Sequence, residues 1–207
     1  MKTRMTIVAL ALLLAGRALV AAGELKSGDL MPMGDVKMMN VDGRILSIQE
    51  AAGEKGALVV FSCNHCPFVK AWESRLAAIG NNSMKKGVGV IFINANDPVE
   101  FPTDDLDHMK EQAAAAGYEF PYVVDETSDV ARAFGAARTP EVFLFDAAGR
   151  LVYHGAVDDN AYKPAEVQNH YLQDALNALV AGTEIPVKET RSVGCSIKYR
   201  APGGGGK

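Results

Sequence analysis

The chain has 207 residues, a formal net charge of −4, and 48% hydrophobic against 22% charged residues. That length suits one domain of ordinary size, and the slightly acidic balance excludes the basic footprint of a nucleic-acid binder. Three cysteines are too few for a disulfide scaffold. Two form Cys63-Asn64-His65-Cys66 and the third, Cys195, lies far along the chain, a pattern of reactive thiols rather than staples.

Residues 1–22 read as a signal peptide. Lys2 and Arg4 make a basic start, and Ile7 to Ala15 is an apolar run too short to span a bilayer comfortably. Small residues follow at Ala18, Ala21, Ala22 and Gly23, with Arg17 as an interruption, and cleavage is expected after Ala22. The alternative is an uncleaved N-terminal anchor. Either way the domain is expected in the periplasm or outside the cell, where a dithiol can cycle as a disulfide. Residues 23–185 are expected to form the domain, with no stable membrane insertion after cleavage. Residues 186–207 are expected to form a C-terminal tail that carries Cys195 and ends in a disordered Gly-Gly-Gly-Gly-Lys.

In chain order, Val36–Asn40 and Arg44–Ile48 flank Asp42-Gly43, a hairpin signal. A short helix or loop over Gln49–Lys55 leads to Ala57–Phe61, apolar throughout as a strand buried on both faces should be. From Pro67 the residues Phe68, Val69, Trp72, Leu76 and Ile79 follow a helical period, with a stop expected near Gly80-Asn81. Gly87–Ile93 is a second buried strand. Thr103, Asp104 and Asp105 read as caps of a helix running to Gly117. A short strand at Tyr122–Val124 and a short helix over Ser128–Phe134 come next. Strands Glu141–Phe145 and Leu151–Val157 form a second hairpin, and Ala165–Ala181 is a long amphipathic helix closed by Gly182. Asp158-Asp159 reads as a turn. The order implies an α/β fold: a mixed central sheet flanked by helices, with an N-terminal β-hairpin and the dithiol at the carboxyl end of a central strand.

The run Val59-Val-Phe-Ser-Cys-Asn-His-Cys-Pro67, its following helix, Arg138-Thr-Pro140-Glu-Val-Phe-Leu-Phe-Asp and the Gly149-Arg-Leu-Val-Tyr hairpin resemble a thioredoxin-fold redoxin. The resemblance lies between thiol-disulfide oxidoreductases of the TlpA kind and the AhpC/TSA (peroxiredoxin-like) proteins, over about Gly34 to Ala181. It implies a thioredoxin-like fold and a cis Pro140 that sits against the dithiol and exposes backbone for a substrate strand. Against the peroxiredoxin pattern P-x-x-x-T-x-x-C, Cys63 occupies the threonine slot and Val59 the proline slot. The thioredoxin resemblance makes Cys63 the attacking thiol and Cys66 the resolver. The peroxiredoxin resemblance makes Cys66 the attacker of peroxide, with Arg138 as the arginine that stabilises its thiolate.

The expected catalytic residues are Cys63, Cys66, His65, Arg138 and Pro140, with Cys195 as an additional redox thiol if the tail folds back. An imidazolium at His65 stabilises a thiolate and raises the reduction potential. Glu141, after Pro140, is a candidate proton acceptor; Glu73, Asp97 and Asp125 read as solvated or loop-capping acids. A haem attachment site is excluded because Pro67, not histidine, follows Cys66. The leading expectation is an exported thiol-disulfide oxidoreductase using a Cys63/Cys66 cycle. It needs no organic cofactor, and its partner is a protein disulfide or dithiol. The alternatives are a peroxidase acting on a hydroperoxide through Cys66, and a copper or zinc binding module built on Cys63, His65, Cys66 and Cys195.

Overall fold

The structure is a computed structural model and describes residues 24–201. The expected signal peptide and the terminal glycine run lie outside the described residues. Asp42-Gly43 turns β1 (Met38–Asn40) into β2 (Ile45–Leu46), with Gly43 at φ 85°, a left-handed value that suits glycine. Ser47 and Glu50 form a capping box at the start of α1 (Ile48–Ala51).

Next come β3 (Gly56–Phe61), α2 (Pro67–Lys85) and β4 (Val88–Asn94). The N–H of Lys55 donates to the Gly87 carbonyl and that of Ser62 to the Ile93 carbonyl, start to start and end to end. The two strands are therefore neighbours and parallel, as a crossover through α2 demands. Then follow α3 (Leu106–Ala116), β5 (Tyr122–Val124), α4 (Asp129–Phe134), β6 (Arg138–Thr139), β7 (Glu141–Asp146), β8 (Leu151–Gly155), α5 (Tyr171–Ala181) and β9 (Cys195–Ser196). One ladder runs β2-β1-β5-β4 and the other β3-β7-β8, abutting along β3 and β4. β4 and β5 are parallel, and β3, β7 and β8 pair antiparallel.

The alternation of side chains along each strand builds two cores. Leu58 and Val60, with Val90, Phe92, Val142 and Leu144, face Trp72, Leu76, Met109, Leu172 and Leu176 on α2, α3 and α5. Val59 and Phe61, with Ile91, Ile93, Phe143 and Phe145, face Ile48 of α1 and Val130 and Phe134 of α4. Full burial of each such side chain contributes about 1.5–3 kcal/mol. Among the described residues no helix is long and apolar enough to cross a membrane.

Three expectations are corrected. α2 runs through Gly80 to Lys85, because this glycine makes room for Phe120: a Cβ there would lie 2.4 Å from the ring. α5 begins at Tyr171 rather than Ala165. The Asp159 carboxylate takes the N–H groups of Gln168 and Asn169 at 3.1 and 3.0 Å, so those donors serve a loop instead of a helix turn. Asp158 is more than a turn residue. It is buried, accepts the Trp72 indole N–H at 2.7 Å and pairs with Arg75, tying α2 to the loop after β8. The segment after Ile185, as far as residue 201, lies along the edge of the molecule, where Glu189 bridges His154 and Tyr199 bridges Asn96.

Candidate active site

β3 delivers the chain to the dithiol. Cys63 follows Ser62, and Cys66 is the N-cap of α2 with Pro67 at the first helical position. Both cysteines are fully buried, and Cys195 is partly exposed. Thr139 touches both sulfurs of the pair: its Oγ1 lies 3.2 Å from Cys63 Sγ and its carbonyl oxygen 3.0 Å from Cys66 Sγ. The Thr139–Pro140 peptide is cis. Cys195 Sγ stands 2.8 Å from Cys66 Sγ.

The charge preferences of the three thiols differ. The Cys66 pKa falls to about 4, first because the Cys63 thiol donates to it, and further because the Cys195 thiol does so; burial opposes the shift. The N–H of Val69 in the first turn of α2 also favours charge at that sulfur, without making a cap bond. Protonated, Cys66 donates to the Thr139 carbonyl; ionised, it accepts from its two thiol neighbours. The Cys63 thiol is driven well above its ordinary value by that bond to Cys66, by burial and by the negative charge of Asp104. Cys195 is pushed up to about 11 by burial and by Cys66. The hydrogen bonds and the α2 N-terminus thus favour charge at Cys66, and burial and Asp104 disfavour it at Cys63.

Asp104 reads as a helix cap in the sequence, but the structure gives that role to Asp105, whose carboxylate accepts the His108 N–H at 2.9 Å. Asp104 is buried behind the dithiol loop instead. Its Oδ1 accepts the Asn64 N–H at 2.6 Å, and its Oδ2 accepts from Asn96 Nδ2 at 2.8 Å and lies 2.6 Å from His65 Nδ1. The His65 ring stacks on Phe101, centroids 4.3 Å apart. The signal in the sequence was redundancy: a helix needs one N-cap residue, and Thr103-Asp104-Asp105 offers three.

Arg138 is not brought to the thiols. It is exposed, and its guanidinium donates to the Gly194 carbonyl at 3.3 Å. Glu141 is occupied elsewhere. Its carboxylate accepts the N–H groups of Ala137 and Arg138 at 2.7 and 2.8 Å, the Ser192 hydroxyl at 3.0 Å, and lies 2.8 Å from His154 Nε2. Burial works to raise its pKa, but His154 and the two N–H groups outweigh burial and lower it. Glu141 shapes the turn into Pro140 rather than receiving a thiol proton. Among the described residues one donor set could hold a metal: Cys63, His65 and Asp104, with ligand atoms within 4.8 Å of one another. Sulfur, imidazole and carboxylate together suit zinc or copper, yet both Asp104 oxygens already serve the loop.

The sequence model of the Redoxin family matches residues 26–170. The chain belongs to that family. Among solved structures, an uncharacterized conserved protein from Geobacillus kaustophilus superposes on the redoxin with a TM-score of 0.79 at 37% identity, covering 84% of this chain and 93% of that one. A hypothetical protein from Sinorhizobium meliloti gives 0.79 at 33% identity, over 86% and 97% of the two chains. A thioredoxin-like protein in its oxidised form gives 0.62 at 22% identity, over 77% and 100%, a likeness of fold. No curated protein matches the sequence. The redoxin has a thioredoxin-like α/β fold and is an oxidoreductase of the thiol-disulfide or thiol peroxidase kind.

Proposed function

We propose that the protein is an exported thiol-disulfide oxidoreductase in which Cys66 is the attacking thiolate and Cys63 the resolving thiol. One observation carries this reading. Cys66 is the N-cap of α2 and has the Cys195 sulfur 2.8 Å away, and its thiol neighbours and the Val69 N–H lower its pKa, while the bond to Cys66, burial and Asp104 raise that of Cys63. A thiolate attacks a disulfide, and a second thiol beside it releases the mixed disulfide. The order of the two cysteines is then the one the peroxiredoxin resemblance implied, and the chemistry is the one the thioredoxin resemblance implied. In this reading His65 and Asp104 fix the dithiol loop, Pro140 and Thr139 form the wall against which it reacts, and Arg138 holds the tail rather than the thiolate. The partner is a protein disulfide or dithiol.

Insulin reduction and glutathione redox titration of the wild type, Cys63→Ser and Cys66→Ser test this. Loss of turnover in both variants is expected; unchanged activity in both would contradict it. Export is tested by sequencing the mature N-terminus, expected at Gly23. A chain retaining Met1 in the cytosol would contradict that part.

The identity of the low-pKa sulfur also favours a second reading, a peroxidase with Cys66 attacking a hydroperoxide. Against it stands the outward course of Arg138. Stopped-flow oxidation by hydrogen peroxide decides: a rate no faster than that of a free thiol removes this reading.

A further inference from the structure

β6 finds its partner in the C-terminal segment. β9 pairs with it antiparallel, Arg138 opposite Ser196 and Thr139 opposite Cys195. The approach is close because residue 194 is glycine; a Cβ there would lie 2.2 Å from the Thr139 carbonyl oxygen. The segment is tied down beyond the cysteine as well. The Ile197 N–H donates to the Ala137 carbonyl at 3.0 Å, its side chain is buried, and the Lys198 N–H donates to Asn96 Oδ1 at 2.8 Å. An extended segment held by main-chain bonds, with one side chain aimed by register, is how proteins bind peptides by strand addition. Here the aimed side chain is a cysteine, 2.8 Å from Cys66 Sγ. Cys195 is also the one sulfur of the three that is partly exposed, whereas Cys63 and Cys66 are covered.

We propose that Cys195 is a third reacting thiol, presented to Cys66 by its own chain in the manner of a substrate cysteine, and that a Cys66–Cys195 disulfide is an intermediate of the cycle. This rests on the reading that Cys66 and Cys63 cycle between dithiol and disulfide. Starting from the Cys63–Cys66 disulfide, the Cys195 thiolate attacks Cys66 Sγ. The Cys66–Cys195 bond forms as the Cys63–Cys66 bond breaks. Cys63 leaves with the electron pair and takes up the proton that Cys195 gave up, so no oxidant is consumed. A dithiol partner then attacks the accessible Cys195 Sγ, and Cys66 leaves as the thiolate that its surroundings favour. The partner's second thiolate displaces Cys195 from the mixed disulfide. The partner is oxidised to its disulfide by two electrons, and the protein is reduced by two.

The test uses full-length mature chain and oxidised glutathione as the probe, read by intact mass and by mapping of disulfide-linked peptides. In Cys63→Ser, Cys66 attacks glutathione disulfide and releases one glutathione. Cys195 then displaces the second, so the expected product is an internal Cys66–Cys195 disulfide with no adduct. Cys63→Ser with Cys195→Ser should retain one glutathione on Cys66. Adding Gly194→Ala to Cys63→Ser should slow internal closure about tenfold or more by displacing β9 from β6. Wild type quenched in acid after limiting oxidation guards against a variant that does not fold, and should contain some Cys66–Cys195 link. A stable glutathione adduct in Cys63→Ser, with Cys195 free and a normal Cys63–Cys66 disulfide in wild type, would overturn the third-thiol proposal alone. Failure of Cys66 and Cys63 to react in wild type would overturn both it and the reading it rests on.

Discussion

The Asp104 carboxylate lies 2.6 Å from the His65 ring nitrogen Nδ1, and through it the loop between the two cysteines is anchored to the turn before α3. The same carboxylate receives the Asn64 N–H and the Asn96 side chain. Its negative charge also works against ionisation of Cys63. One buried acid therefore shapes the loop and biases which sulfur carries charge.

Asp104→Ala should cost about 3 kcal/mol of stability, since it leaves buried donors without an acceptor. Asp104→Asn keeps the volume and removes the charge. Placed in a Cys66→Ser background, it should make Cys63 more acidic and therefore faster to alkylate at fixed pH. Denaturant melts and alkylation rates check the two halves; an unchanged Cys63 rate would contradict the electrostatic role.

The Cys66 ionisation makes a pH-dependent contribution to the stability of the reduced protein. Its folded pKa, about 4, lies below the unfolded value of 9.0. The unfolded chain thus binds more protons in this window, and stability rises with pH. The contribution is complete above 9.0 and is lost as pH falls through about 4. Cys63 and Cys195 shift the other way and act only above 9.0, so they do not mask it. The disulfide form has no such thiolate. Reduced protein should therefore lose stability relative to oxidised protein on going from alkaline to acid pH, as paired denaturant melts would show. A constant difference would contradict the assignment.

A stabilised thiolate favours the reduced state and makes the disulfide more oxidising. Titration against glutathione should give a potential above that of thioredoxin, about −270 mV. A value at or below it would contradict the Cys66 ionisation described above.

Gly80→Ala sets two effects against each other. Alanine in a helix interior gains about 1 kcal/mol over glycine. The added Cβ would meet the Phe120 ring at 2.4 Å, and Phe120 is itself packed against Phe92 and Tyr118. Overpacking costs about 1–3 kcal/mol, so the net change should be destabilising. A stabilised variant by thermal melting would show that the ring moves freely aside.

Much of this was legible in the residues. The unbroken apolar runs Leu58–Phe61 and Val88–Ile93 announce strands covered on both faces, and Cys66-Pro67 announces a helix start at the dithiol. What escaped was partner choice across long separations. Gly80 looks like a helix stop until Phe120 is seen against it. Asp104 and Asp158 look like a cap and a turn, because single residues do not reveal that Asn64, His65 and Trp72 need acceptors. The sulfur that leads could not be read either. A string does not say which of Cys63 and Cys66 donates to the other; the bond between them comes first in the difference, followed by the burial and Asp104 charge that act on Cys63 and the Cys195 thiol and α2 N-terminus that act on Cys66. Cys195 stands out in the sequence as an odd cysteine, but only strand pairing with Thr139 places it beside Cys66.

Under the proposed function Cys66, not Cys63, is the thiolate of the pair. Site-resolved NMR titration of the three cysteine Cβ resonances in the reduced protein tests it without requiring reagent access. Cys66 should ionise in the acid range, near 4, and Cys63 should be the last of the three to lose its proton. Ionisation of Cys63 ahead of Cys66 would contradict it.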